Sequence, residues 1–346
     1  MRTFDYKKFE NSVWDNEILG YIGQIHEYKG RQNLYLSQRP QELKRLVEIA
    51  KIQSTESSNK LEGIVTTATR IKQLLLEKTT PRTRSETEIL GYRDVLKTIH
   101  ENYEYIPLKP SYILQLHRDL YSYSEKTMGG KYKSVQNHIS AKTSDGKTYT
   151  LFTPLAPYET AAAIESICLN YNSSVENIDT LLMIPIFISD FLCIHPFLDG
   201  NGRMSRLLTT LLLYRSGYHV GKYISLEKII ERTKENYYDA LRMVSEKWHE
   251  GTNEYEPFIK YFLGIVLKAY RELESRISLV ERNLPAYETV KEAVGEMIGT
   301  FSKNDILERC PKFRSSSVEA ALKRLREEEI ISSTGTGKKT RYFCKK

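Results

Sequence analysis

A stretch of nine residues decides the fold of this chain: His195-Pro196-Phe197-Leu198-Asp199-Gly200-Asn201-Gly202-Arg203. It surrounds two glycines with a base, a carboxylate, an amide and a guanidinium, and a helical pattern follows from residue 204 to about 216. Glycines allow backbone N–H groups to turn inward and form an anion nest. The start of a helix adds unpaired N–H groups and the positive end of its dipole. The stretch is therefore suited to holding a polyphosphate.

Three side chains of this stretch supply chemistry. Asp199 can hold a hard cation such as Mg²⁺, and Arg203 can fork onto phosphate oxygens. His195 has an ordinary pKa suited to taking a proton near neutral pH. The set indicates nucleotidyl or phosphoryl transfer. A zinc site at His195 and Asp199 is the rival interpretation, but zinc takes three or four protein ligands and no further His or Cys is near in sequence.

These nine residues resemble the signature of the Fic family, His-Pro-Phe-x-Asp/Glu-Gly-Asn-Gly/Lys-Arg, and Arg206 continues the resemblance one helical turn later. The resemblance implies a mainly α fold, the helical Fic/Fido core. It also implies transfer of AMP from ATP to a Ser, Thr or Tyr hydroxyl of a target protein and of the enzyme itself, with release of pyrophosphate. A branch with Lys at the second glycine position phosphorylates instead, so Gly202 favours adenylylation.

The resemblance also implies a role for each residue of the site. His195 would be the general base, Asp199 would hold Mg²⁺, and Phe197 would anchor the loop. The remaining nucleotide-binding residues would be Gly200, Asn201 and Gly202 around the α- and β-phosphates, Arg203 on the β-phosphate side, Arg206 on the γ-phosphate, and Tyr237 on the adenosine.

A second motif lies upstream, in residues 58–63, which read Ser-Asn-Lys-Leu-Glu-Gly. It resembles the inhibitory motif of the family, Ser/Thr-x-x-x-Glu-Gly/Asn. The resemblance implies that Glu62, with Ser58, pairs with Arg206 and holds ATP in a non-productive pose. Two alternatives stay open: Glu62 is an ordinary residue at the end of a helix before Gly63, or it assists removal of AMP from a target.

The sequence predicts three regions: an N-terminal helical region with the inhibitory motif at 1–105, the Fic core at 106–275, and a C-terminal module at 286–346. In the core we predict helices over 112–120 and 159–171, and one that begins at Pro185 and ends at the signature. The stretch 181–194 is hydrophobic but too short to span a bilayer, and it predicts a buried helix.

Between the first two core helices, an Asp145-Gly146 pair separates β-prone segments and predicts a hairpin. In the family this hairpin is the flap that docks the target, which assigns docking to Gln136, Asn137, His138 and Ile139. An ordinary surface hairpin is the alternative.

The C-terminal pattern resembles a winged helix-turn-helix module. It predicts a helix over 302–310, a second helix to about 328 with a capping box of Ser316 and Glu319, and a glycine-rich basic wing over 335–339 between two strands. Residues 301–346 carry 12 Lys and Arg against 6 Asp and Glu. DNA binding and protein docking or dimerisation are both open.

Composition bounds the remaining properties. The chain has 346 residues, 40% of them hydrophobic, and a formal net charge of +7. Four cysteines without a CxxC spacing and an N-terminus without an apolar signal region predict a cytoplasmic protein with no membrane partner. A homodimer is a family-level expectation. Two alternative functions remain: a DNA-binding regulator whose core senses nucleotide, and an enzyme that moves another phosphate-containing group.

Overall fold

The structure is a computed structural model that describes residues 2–38, 40–76, 79–124, 129–142, 148–281, 284–297, 299–337 and 340–344. These residues form fourteen α-helices and four short strands, so the prediction of a mainly α fold is confirmed. The helices are α1 Asn16–Gln38, α2 Pro40–Leu61, α3 Ala68–Leu75, α4 Arg84–Asn102, α5 Pro110–Leu120, α6 Pro157–Ser174, α7 Thr180–Ile194, α8 Asn201–Arg215, α9 Leu226–Arg232, α10 Lys234–Ser245, α11 Glu256–Glu281, α12 Ala286–Gly295, α13 Lys303–Arg309 and α14 Ser315–Glu327. The strands are β1 Ile139–Lys142, β2 Thr148–Phe152, β3 Ile331–Thr334 and β4 Arg341–Cys344.

The chain divides into two compact units. The first contains residues 1–30 and 50–269, and the second contains residues 31–49 and 270–346. Among the described residues, no helix has the length and hydrophobicity that crossing a bilayer requires.

The centre of the first unit is α7, which packs against α6 and α8. All of its residues from Leu181 to Ile194 are buried, which confirms the buried helix expected from the sequence. Its predicted start was wrong, because Pro185 lies inside the helix rather than at its first position. The helix begins five residues earlier, at Thr180, because the Asp179 carboxylate accepts a hydrogen bond from the Leu181 N–H at 2.8 Å. As the sixth residue of the helix, Pro185 removes one i→i−4 hydrogen bond, the one to the Leu181 carbonyl.

Helix α8 follows the signature directly. Its N-cap is Gly200, with φ of 85°, a left-handed conformation that favours glycine. The leucines of its apolar stripe, Leu207, Leu208, Leu211 and Leu212, are buried, and α8 packs against both α7 and α4. The start of α8 is therefore held rigidly at the end of the α7–α8 connection.

Strands β1 and β2 form the predicted hairpin. They are antiparallel, with Ser140 opposite Thr150 and Lys142 opposite Thr148, and the register shifts between Ile139 and Ser140. The predicted Asp145-Gly146 turn lies outside the described residues.

In the second unit, α12, α13 and α14 precede the antiparallel pair β3–β4, and Phe301 pairs with Tyr342. A core of side chains such as Val290, Phe301 and Leu322 is fully buried. This order of elements agrees with the predicted module, whose identity as a winged helix stays a prediction.

The predicted capping box at Ser316 and Glu319 was wrong. Helix α14 begins at Ser315 without a side-chain cap, and Glu319 pairs with Lys303 instead. The capping box belongs to α13, where Ser302 and Asp305 bond reciprocally.

Candidate active site

His195 ends α7 in a left-handed conformation, with φ of 51° and ψ of 62°. This conformation is uncommon outside glycine and indicates that the surroundings hold the residue in place. The Nδ1 atom lies 3.1 Å from the carbonyl oxygen of Leu192. Because a carbonyl only accepts, Nδ1 carries the proton and Nε2 is left as an acceptor. Burial lowers the pKa of His195 to about 4, so the imidazole is neutral at pH 7.

The loop after His195 is closed by Asn201. Its Oδ1 accepts from the Phe197 N–H at 2.9 Å, and its Nδ2 donates to the Phe197 carbonyl at 2.7 Å. Phe197 is fully buried and stacks on the His117 ring at 3.6 Å between centroids. The side-chain amide of Asn201 is therefore bonded within the loop. Its backbone N–H lies at the start of α8.

The guanidinium of Arg203 is buried beneath the loop. It lies 2.9 Å from the Glu88 carboxylate and donates to the Tyr121 hydroxyl at 2.8 Å. Arg203 is absent from the walls of the adjacent cavity, unlike Arg206. In this structure it braces α8 against α4 and α5.

Asp199 has a half-exposed carboxylate, with 43% of the side chain accessible. Its Oδ1 accepts from the Gly200 N–H at 2.7 Å, and its Oδ2 lies 3.6 Å from Arg84. Within the described residues, no group of three or more His, Cys, Asp or Glu side chains is placed to hold a metal. A single accessible carboxylate fits Mg²⁺, which commonly takes one or two carboxylates and completes its shell with substrate phosphates and water.

The upstream motif and the signature meet at Arg206. This side chain is buried and is held by the last turns of α2. Its Nε donates to Ser58 Oγ at 2.8 Å, and one terminal nitrogen donates to the Ser58 carbonyl at 3.0 Å and to Glu62 Oε1 at 2.7 Å. The predicted contact of Glu62 and Ser58 with Arg206 is present in the structure.

Glu62 also covers the start of α8. A Cβ atom added to Gly202 would lie 2.2 Å from Glu62 Oε1, well inside van der Waals contact. The carboxylate therefore lies directly on the first turn of α8, where helix N–H groups and the dipole favour an anion. A side chain at position 202 would displace it.

Polar contacts hold the end of α2 in this position. Ser57 donates to Glu231 at 2.7 Å, Lys60 pairs with the same carboxylate, and the Tyr238 hydroxyl donates to the Leu61 carbonyl at 3.4 Å. These contacts join the end of α2 to α9 and α10.

A cavity of about 550 Å³ opens beside these groups. Its polar end contains Glu62, His195, Gly202 and Arg206, and its other walls are mainly aromatic and aliphatic side chains. This combination of an anion-binding end and an apolar slot suits a nucleotide. The apolar walls include Ile139, Leu151, Phe152, Leu192, Tyr237, Tyr238 and Leu241.

Comparison with known proteins identifies the part of the chain that carries the signature loop. Residues 107–213 match the model of the Fic/DOC family. Over these residues the chain is similar to the Fic/DOC family.

Relatives of the chain carry the name protein adenylyltransferase Fic. One from Aedes aegypti is 26% identical over 285 residues, which cover 77% of this chain and 50% of that protein. One from Culex quinquefasciatus is 25% identical over 273 residues, covering 73% of this chain and 48% of that protein. The chain thus spans about half the length of these relatives.

Solved structures show the same fold. A Fic family protein from Desulfovibrio desulfuricans has a TM-score of 0.62 at 20% identity, covering 96% of this chain and 97% of that one. A Fic domain containing signaling protein from Bacteroides thetaiotaomicron has a TM-score of 0.61 at 24% identity, covering 72% of this chain and 94% of that one.

Tyr237 follows the matched residues and lies in the wall of the cavity, where its ring is buried and contacts Tyr238 edge-on at 5.2 Å between centroids. Contact of Tyr237 with the adenosine stays a prediction, and its position in the cavity wall is compatible with it.

Three of the four predicted docking residues make contacts within the first unit. Gln136 donates to the Pro154 carbonyl, Asn137 donates to carbonyls of the signature loop, and His138 contacts Thr153. Ile139 lines the cavity. Target docking by these residues stays a prediction, with Ile139 the best placed.

Sequence reasoning missed the residues behind the signature loop. Glu88 and Tyr121 hold Arg203, the ring of His117 supports Phe197, and Lys133 bonds to loop carbonyls. His117 on α5 and Tyr121, the residue that follows this helix, are four residues apart, which predicts a shared face, but nothing in the sequence indicates that this face meets the signature.

Proposed function

We propose that this protein transfers AMP from ATP to a hydroxyl group of a protein and that Glu62 restrains the reaction. The observation that carries the proposal is the position of the Glu62 carboxylate, 2.7 Å from Arg206 and over Gly202, beside His195. A carboxylate in this place occupies the anion site that a triphosphate would need. The names of the relatives support the same activity.

The reaction would be a displacement at the α-phosphorus of ATP. The target oxygen forms a bond to phosphorus, its proton passes to Nε2 of His195, and the bond to the bridging oxygen breaks. Pyrophosphate leaves with the electron pair. His195 suits this step because it is neutral and its Nδ1 is already bonded to the Leu192 carbonyl.

Mg²⁺ is part of the proposal, with Asp199 as its protein ligand. When bound, it would neutralise charge that develops on the phosphates. The N–H groups at the start of α8, near Gly200 and Gly202, would bind phosphate oxygens. Arg206 would pair with the outer phosphates after Glu62 withdraws, because both compete for one guanidinium.

The test compares wild type, Glu62→Gly, and the double variant Glu62→Gly with His195→Ala. Each protein is incubated with Mg²⁺ and equimolar ATP, UTP, GTP and CDP-choline, and the adduct is identified by intact mass spectrometry. We expect an AMP adduct that increases at least about tenfold in Glu62→Gly and disappears in the double variant.

Two outcomes contradict the proposal. An adduct other than AMP would assign a different transferred group, and equal labelling of wild type and Glu62→Gly would remove the inhibitory role of Glu62. Incubating the purified AMP adduct of each variant without ATP then separates transfer from removal of AMP.

The DNA-binding regulator remains the alternative, and its support is the excess of basic residues after residue 300. On α14, however, Lys323 lies 3.7 Å from Glu327 and Arg324 lies 2.8 Å from Glu328. Lys323 and Arg324 each have a neighbouring carboxylate, and this negative charge weakens their attraction to DNA phosphates. A mobility shift with random duplex DNA at several salt concentrations tests it. A cytoplasmic location and a homodimer stay proposals from the sequence.

A further inference from the structure

The segment before β1 bonds to four consecutive carbonyls of the loop that holds His195. Lys133 Nζ donates to the Ile194 carbonyl at 3.0 Å, and the Lys133 backbone N–H donates to the Pro196 carbonyl at 2.8 Å. Asn137 Nδ2 donates to the carbonyls of His195 at 3.3 Å and Phe197 at 2.9 Å. We call Lys133 and Asn137 the carbonyl clamp.

The two clamp residues also bond to each other, since Lys133 Nζ donates to Asn137 Oδ1 at 3.0 Å. Lys133 is buried, with 3% of its surface exposed, and no carboxylate of the described residues lies within ion-pair distance of its ammonium. A buried ammonium without a carboxylate is costly unless its hydrogen bonds are well made. A buried lysine does not serve solubility. We therefore attribute the presence of Lys133 to the hydrogen bonds that it donates to the loop.

The backbone conformation of His195 creates carbonyl groups that need these hydrogen-bond donors. A left-handed residue rotates its flanking peptide groups, so the carbonyls of residues 194 and 195 cannot continue the hydrogen bonding of α7. Each buried carbonyl left without a donor would destabilise the loop by about 1–3 kcal/mol. The clamp supplies those donors and so stabilises the one conformation that directs the imidazole into the cavity.

The clamp also sets the charge around the base. Burial lowers the pKa of His195 most, the Lys133 ammonium lowers it further, and the carboxylates of Glu62 and Asp199 raise it. Burial lowers the pKa of Lys133 itself to about 8, so it is mainly charged at neutral pH. The charged groups around His195 are Lys133 before β1, Glu62 after α2, Asp199 in the loop, and Arg206 of α8 and Arg242 of α10 on the same cavity wall.

We propose that Lys133 and Asn137 are positioning residues that hold His195 in its reactive orientation and connect it to the β1–β2 hairpin. Only two residues separate Asn137 from Ser140, which lies in β1 and lines the cavity. A target that binds against β1 would thereby tighten the loop that carries the base. The role in catalysis rests on the proposed transfer of AMP, but the effect on His195 does not.

The first experiment does not need activity. Histidine side-chain ¹⁵N NMR measures the tautomer and the pKa of His195 in wild type, Lys133→Met, Lys133→Arg, Asn137→Asp and the control Lys131→Met, which changes an exposed lysine two residues away. We expect the pKa of His195 to rise in Lys133→Met, because a positive neighbour is lost, and to stay low in Lys133→Arg and in the control. In Asn137→Asp, which keeps the acceptor for Lys133 but loses the donor, both tautomers should be populated.

The second experiment measures transfer in the Glu62→Gly background. Lys133→Met and Asn137→Asp should lower kcat about a hundredfold with little change in KM for ATP, and Lys133→Arg should restore most of the rate. If tautomer and pKa match the control in both Lys133→Met and Asn137→Asp, the proposal is overturned. If Lys133→Met does not fold, Lys133→Arg and Asn137→Asp still decide. If the variants change the tautomer or the pKa of His195 but no protein transfers AMP, the positioning role of Lys133 and Asn137 is supported and the proposed AMP transfer is rejected.

Discussion

The carboxylate of Glu62 and the guanidinium of Arg206, 144 positions apart in the chain, meet at 2.7 Å beside the first turn of α8. The contact joins the end of α2 to the signature and lies over Gly202. Because Arg206 is buried, removing Glu62 would leave a buried charge without its partner, which costs more than breaking an exposed ion pair worth about 0–1 kcal/mol. Under the proposed function, nucleotide binding and withdrawal of Glu62 would depend on each other.

Replacing Glu62 by Gln tests the charge of this contact separately from its shape. Glutamine can still accept from Arg206, but it no longer repels a triphosphate. We expect the affinity for ATP with Mg²⁺, measured by calorimetry, to rise about five- to fiftyfold over wild type, in line with a coupling of about 1–2 kcal/mol. The exposed Glu235→Gln on α10 is the matched control. Unchanged affinity in Glu62→Gln would show that its charge does not oppose nucleotide.

Asp199→Asn tests the metal ligand. The amide oxygen can still accept from the Gly200 N–H, so the loop keeps its cap while the charge is removed. We expect ATP to bind equally well with Mg²⁺ and with EDTA in this variant, whereas wild type and Asp119→Asn should need Mg²⁺. Asp119 is a suitable control because its side chain is 41% exposed, close to the 43% of Asp199. Retention of the full Mg²⁺ effect in Asp199→Asn would place the metal elsewhere.

Asn201→Asp tests the closure of the loop. Aspartate can accept from the Phe197 N–H but cannot donate to the Phe197 carbonyl, and it places a negative charge in a buried position. We expect a loss of about 2–4 kcal/mol in the free energy of unfolding by urea. The exposed Asn102→Asp, which loses a bond to the Thr98 carbonyl, should lose less than about 1 kcal/mol. Equal losses would contradict the role of Asn201 in closing the loop.

Buried histidines predict loss of stability in mild acid. Burial lowers the pKa of His100 to about 3 and that of His117 to about 4, from an ordinary value of 6.5. As pH falls below 6.5, the unfolded chain binds protons that the native state does not, so stability falls with pH until the native values are reached. Each group contributes about 1.4 kcal/mol per pH unit within that window.

His100→Phe removes one of these groups. Between about pH 6 and pH 4.5, the slope of unfolding free energy against pH should decrease by roughly one proton relative to wild type. Substitution of the exposed His138 should leave the slope unchanged. A wild-type stability that is flat over this range would contradict the burial of a neutral His100.

The activity of the Glu62→Gly variant should follow the protonation of His195. Its pKa of about 4 predicts a transfer rate that is nearly constant from pH 7 down to about 5.5 and then falls as the imidazole becomes protonated. Initial rates in buffers of constant ionic strength measure this. A rate that halves near pH 6.5 would mean that the base is not held in the buried state described.

Much of the site was predictable because its chemistry lies within one short segment. His195, Asp199, Gly200 and Gly202 are neighbours in sequence, so their residue types and spacing predict an anion site with a base before any fold is known. The hairpin was predictable for the same reason, since only five residues separate β1 and β2 in the sequence. The prediction of a capping box at Ser316 was wrong because the Glu319 side chain pairs with Lys303 of α13 instead.

By itself, the sequence determined the mainly helical class and the signature loop. Through the family resemblance it also predicted the contact between Glu62 and Arg206. Tertiary structure alone decided that Arg203 turns away to Glu88 and Tyr121, and that Lys133 and Asn137 hold the carbonyls around His195. The reason is physical. A backbone turn or a helix start depends on residues a few positions apart, whereas a buried charge or carbonyl takes its partner from whatever element packing brings next to it.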